Sequence, residues 1–165
     1  LFAAVLALFA GIVLLTNNWY HLNRGFIEMR LFPVVEDGTA RNWTREEDGF
    51  WSAQVYLNKV RPGCIYVPDQ IVTAIGTTPY GYTFEASVVY IGDRTPNSNR
   101  NEGWQRLDDR VEFQDPLAVV GSTVTMHVLH DCHDSPPTAS QIGPFVIGQD
   151  SPWPDSGQWT PVLPQ

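Results

Sequence analysis

"STVTMHVLHDCHDS" (122–135) decides how the chain is read. Val124, Met126 and Val128 alternate with Thr123, Thr125 and His127, the period-two signature of a half-buried β-strand. The end of the run then concentrates His127, His130, Asp131, Cys132, His133 and Asp134. A helix would bring the three histidines together. On a strand, His127 and His133 share one face while His130 points to the other. The β-branched Thr125 and Val128 and the alternation favour the strand. The segment is therefore read as a strand end carrying half of a disulfide.

The same period recurs upstream. Ile27, Met29 and Leu31 alternate in "GFIEMRLF" (25–32), Trp51, Ala53, Val55 and Leu57 in "WSAQVYLN" (51–58), and Phe84, Ala86, Val88 and Tyr90 in "YTFEASVVYI" (82–91). Shorter apolar runs, "CIYV" (64–67), "IVTAI" (71–75), "LAVV" (117–120) and "IGPFVIG" (142–148), are taken as further strands. Turn signals such as "RPG", "TTPYG" and "DSPP" separate them. Seven to nine short strands between residues 21 and 148 predict an all-β domain: an antiparallel β-sandwich of immunoglobulin-like or fibronectin-like architecture, with a small barrel next in order. No amphipathic helix is available for the crossovers of a parallel sheet. The Cys…Trp…Cys hallmark of an immunoglobulin domain is not met, because Trp104, the one tryptophan between the cysteines, lies in a polar stretch.

The chain opens on "LFAAVLALFAGIVLL" (1–15), apolar at every position. As a helix it extends about 22 Å, short of a hydrocarbon core of about 30 Å. The chain begins with Leu rather than Met, so residues 1–20 are read as a transmembrane helix truncated at its start. Asn17, Asn18, Trp19 and Tyr20 suit the membrane–water boundary. The competing reading, the core of a cleaved signal peptide, lacks a small-x-small site after it. A buried helix of a globular domain would show a polar face, and there is none.

The lipid bilayer is thus an expected partner through residues 1–20, with other membrane-protein subunits. The net charge of −8 and the absence of any basic cluster exclude nucleic acid. Arg24 and Arg30 favour a cytoplasmic C-terminus. The cysteines weigh more heavily in the other direction. Cys64 and Cys132, the only two, sit at the edges of apolar runs, and pairing them requires an oxidising compartment. A bridge of that span stabilises by about 4 kcal/mol in the chain-entropy model. The domain is accordingly placed outside the cytoplasm, in periplasm, lumen or at a cell or virion surface.

Two stretches invite contact with a partner. The polar connection 92–115 carries Trp104. The tail 149–165 has four prolines and is expected to be extended, and its Trp153 and Trp159 must dock on this domain or on another chain. "NWT" (42–44), within the polar loop "EDGTARNWTREED", fits the N-glycosylation sequon. No nucleophile elbow, phosphate loop, H-E-x-x-H or C-x-x-C occurs, so no catalytic residue or cofactor is assigned. The expected function is non-enzymatic: a membrane-anchored accessory or structural subunit acting through protein–protein contact. The alternatives are an extracytoplasmic metal-binding or redox protein using His127, His130, Cys132 and His133, and a carbohydrate-binding module using exposed aromatic rings.

Overall fold

The computed structural model describes residues 5, 8–20, 33–67, 72–91, 102–107, 110–132 and 135–153. Nine strands join in one antiparallel sheet: β1 (Val35–Arg45), β2 (Trp51–Lys59), β3 (Cys64–Tyr66), β4 (Thr73–Thr77), β5 (Thr83–Ile91), β6 (Gly103–Arg106), β7 (Arg110–Gln114), β8 (Thr123–Cys132) and β9 (Ser135–Val146). The hydrogen-bonded order β1-β2-β7-β5-β4-β8 continues to β9, while β6 extends the β2 wall and β3 the β8 wall. The expected two-sheet sandwich is not what forms. A single sheet curls until β1 and β9 meet, giving a nearly closed, barrel-like sheet.

Seven strands complete the circuit. Each neighbouring pair in the ladder is antiparallel, so an odd number leaves the end strands, β1 and β9, running the same way. No ladder joins them. Side chains and a strap close the seam instead. A Cβ placed on Gly38 would lie 2.4 Å from Ile142 Cγ2 and 3.2 Å from Phe145 Cζ, so β1 approaches β9 only because position 38 has no side chain. After β9 the chain turns and runs back along β1. Ser151 N–H donates to Ala40 O (2.9 Å), Asn42 N–H to the Asp150 carboxylate (2.8 Å) and Trp43 Nε1–H to Gln149 O (2.9 Å). This part of the tail is a clasp that satisfies an edge otherwise open to another strand.

The inward positions follow the sequence alternation in β2, β5 and β8. Phe113, Phe145, Met126, Ile142, Val55, Val111 and Val124 fill the interior, as small barrels require. Elsewhere the expectations need correction. β1 occupies the segment read as an exposed polar loop. It is an edge strand whose inward positions between Val35 and Trp43 are the small Gly38 and Ala40, with a bulge shifting the parity before Trp43, so no regular apolar alternation marks it. "LAVV" (117–120) is a loop. β9 begins at Ser135 and runs through Pro136, Pro137 and Pro144; proline is compatible with a strand that bonds a partner on one side only. β6 and β7 lie within the expected polar connection 92–115.

A helix covers residues 8–20, with its apolar side chains exposed. No helix among the described residues is long and apolar enough to cross a membrane. The strand expected over 25–32 lies outside the described residues, as do Trp159, His133 and Asp134.

Candidate functional site

The strand directions give the barrel two ends. One, the entry end, is where the chain arrives at Val35, beside Lys59, and where β8 finishes at Cys132. The other, the loop end, carries the turns 78–82 and 115–122 between β4 and β5 and between β7 and β8, together with the acidic turn 46–50 between β1 and β2 and the turn 147–150 after β9.

At the entry end the interior turns polar. Cys64 and Cys132 are directly opposed on β3 and β8 and form a disulfide, with sulfurs 2.08 Å apart. Lys59, the only lysine, is the last inward residue of β2 and is buried; its ammonium donates to Cys64 O at 2.6 Å. His130 faces inward one pleat from Cys132. Its Nδ1 shares a 3.1 Å hydrogen bond with Ser140 Oγ. Burial, and then the positive charge of Lys59, lowers the His130 pKa from its ordinary 6.5 to about 4, so the imidazole is neutral at physiological pH. Tyr66 and Tyr90 pack edge to face across this space, ring centroids 6.3 Å apart.

A serine hydroxyl on a neutral imidazole resembles an activated nucleophile. Its accessibility argues otherwise. Ser140 is 2% and His130 7% exposed, so no substrate carbonyl reaches the pair as built. Lys59, His130, Ser140 and the disulfide tie β2, β3, β8 and β9 together where the long strands end. Sequence reasoning singled out His130 and Cys132 here but missed Lys59, Tyr66, Tyr90 and Ser140. The inward parity of Lys59 at the end of the β2 alternation was the available signal.

Of the residues proposed as metal ligands, His133 lies outside the described residues. His127 lies on the outer face and His130 on the inner, as strand geometry requires, and Cys132 is in the disulfide. Among the described residues, no group of three possible ligands lies close enough to hold a metal.

The tryptophans separate. Trp153 folds back onto the outer wall of β1 and β2, where the Arg41 guanidinium lies 4.5 Å from its ring centroid and the Tyr56 ring meets it edge-on at 5.1 Å. Trp104 lies half-buried in β6 opposite Asn58. Toward the other end of β2, Arg110 of β7 donates to Ser52 Oγ (2.8 Å), Ser52 O (3.0 Å) and Asn42 O (2.9 Å), with the Glu46 carboxylate at 3.4 Å. It thereby pins β7, β2 and β1 at one point.

The loop end has a different character. Thr78–Tyr82 and Pro116–Gly121 contain no charged residue in a chain of net charge −8. Tyr80 is 84% exposed, and Tyr82, Leu117, Val119 and Val120 are also exposed. The two loops adjoin, since a Cβ on Gly121 would lie 3.1 Å from Pro79 Cγ. Five large apolar or aromatic side chains thus cluster on these two loops, with Asp115 and the acidic turn 46–50 at the same end, the composition of an apolar contact patch with a polar rim. Comparison with protein-family models, with curated proteins and with solved structures finds no match.

Proposed function

We propose that this chain is a membrane-tethered β-barrel domain, held outside the cytoplasm, that acts by protein–protein contact through its loop end. The observation that carries the reading is that exposed apolar side chains cluster in two places, apart from those scattered over the barrel wall such as Ile75 and Leu129. One is the N-terminal helix, on which Leu8, Phe9, Ile12, Val13, Leu14 and Leu15 are all exposed. Removing each such side chain from water is worth about 1.5–3 kcal/mol, and a bilayer supplies that burial. The other is the loop surface of Tyr80, Tyr82, Leu117, Val119 and Val120. The helix precedes the strand that enters the barrel at the opposite end, so a tether there leaves the loop end available to a partner. The disulfide supports an oxidising compartment. With the barrel interior filled by its own side chains, the outer surface is left for recognition.

The test uses the full chain in membranes. It is expected to resist alkaline extraction, and the pair Ile12→Arg and Leu14→Arg is expected to release it. A photoreactive residue at position 80 or 120 should give discrete protein adducts that one at Asp37, on the β1 wall, does not. Full extraction of the parent chain, or the same adducts from all three positions, contradicts the proposal.

A further inference from the structure

We infer that Asn42 carries an N-linked glycan, which covers the outer wall of β1 and β2. This rests on the extracytoplasmic placement proposed above. The sequon Asn42-Trp43-Thr44 is not in a loop but at a bulge in β1, where Asn42 and Trp43 together face Ala53 of β2. Asn42 has φ 53°, the left-handed region that asparagine and glycine tolerate best. The bulge splits the tripeptide. Trp43 packs inward, its ring centroid 5.7 Å from that of Phe113, while Asn42 and Thr44 on either side are exposed.

The backbone geometry explains an asparagine at position 42. It does not explain Thr44, whose exposed hydroxyl makes no hydrogen bond among the described residues. That hydroxyl is what a glycosyl acceptor site needs two residues after its asparagine.

The acceptor amide is placed to carry a sugar without loss of its own contact. In the transfer, the Asn42 carboxamide nitrogen bonds to the anomeric carbon of a lipid-diphosphate-linked oligosaccharide. The bond from that carbon to the diphosphate oxygen breaks, the lipid diphosphate leaves with the electron pair, and one amide proton is released. Nδ2 keeps its second N–H, which donates to Gln54 Oε1 at 2.7 Å in the folded domain. The Asn42 N–H and C=O are held separately by Asp150 and Arg110, so they do not depend on the side-chain amide. A glycan here stands beside Tyr56, Arg41 and Trp153 and keeps that wall from packing against protein, leaving the loop end as the contact surface.

The full chain is translated with endoplasmic-reticulum microsomes, both as it stands and behind a cleavable secretion signal that forces the domain into the lumen. The expected result in both arms is one endoglycosidase-sensitive shift in mobility. Thr44→Ala, an exposed position that leaves the bulge intact, should abolish the shift, and Thr44→Ser should retain it. No shift in the forced arm overturns the acceptor assignment itself. A shift in the forced arm alone overturns the extracytoplasmic placement, and with it a glycan on the native chain. A shift that survives Thr44→Ala assigns the sugar to another residue and also overturns the inference.

Discussion

Acidification should weaken this domain through one residue. His130 is buried beside Lys59, and its pKa falls to about 4 from an unfolded value near 6.5. Between those values the unfolded chain has taken up a proton that the folded chain refuses. Stability is therefore greatest above the unfolded pKa and declines as pH falls through the window, levelling off below about 4. At 1.36 kcal/mol per pH unit, the full loss is about 3 kcal/mol. Carboxylates titrate over part of the same range, so the informative quantity is a difference. His130→Asn keeps a polar group facing Ser140 Oγ but cannot titrate there. Urea unfolding of both proteins, followed by the fluorescence of Trp43 and Trp51 packed on the core, gives the two stabilities from neutral pH downward. The parent should lose about 3 kcal/mol more than the variant by a pH of about 4. Lys59→Met, which removes the charge but not the burial, should narrow the window without closing it. Parallel curves for parent and His130→Asn would mean that His130 takes up its proton in the folded state as readily as in water, and the reasoning fails.

Three further outcomes follow from the closure of the barrel. Replacing Cys64 and Cys132 by alanine removes a crosslink spanning 68 residues and should cost about 4 kcal/mol, lowering Tm by roughly 12 °C or more in a calorimetric scan; an unchanged midpoint counts against the bridge. Gly38→Val drives a branched side chain into Ile142 and Phe145 at the β1–β9 seam and should destabilise by about 1–3 kcal/mol, checked by the same scan, whereas valine in an ordinary exposed edge strand is harmless. Trp153→Ala removes the ring between Arg41 and Tyr56 and should cost about 1 kcal/mol because the site is half open to water; it should also speed amide exchange at Ala40 and Asn42 under the clasp.

What the sequence disclosed depends on where each strand sits in the circuit. β2, β5 and β8 lie between partners on both sides and face a filled interior, so their inward residues are large and their alternation is plain. The opposition of Cys64 and Cys132 was legible for the same reason: both are inward residues at strand ends. β1 was illegible because its seam with β9 is closed by the bulk of Ile142 and Phe145, which leaves room only for Gly38 and Ala40 beneath them. "LAVV" misled in the opposite sense. Its apolar residues are not core but surface, and hydrophobicity alone does not separate a buried strand from an exposed contact loop. The entry-end cluster was half visible. Parity gave His130 its face, but the contact with Ser140 depends on how β9 pairs with β8, which no local pattern encodes.

The number of strands links these features. With seven antiparallel strands in the circuit, the first and last must run in the same direction, and the final seam needs something other than the ladder that built the rest. This domain uses a glycine, two large side chains from β9 and a clasp made from its own tail. That use of the tail commits one face of Trp153 to the fold, and the most exposed aromatic rings of the barrel among the described residues are Tyr80 and Tyr82 in the loop between β4 and β5. The disulfide, Lys59 and His130 secure the opposite end, where the longest strands outrun their neighbours and where the chain arrives from the apolar helix. Stiffness at the entry end and exposed apolar surface at the far end are what the proposed reading, a tethered domain that presents a face to a partner, calls for.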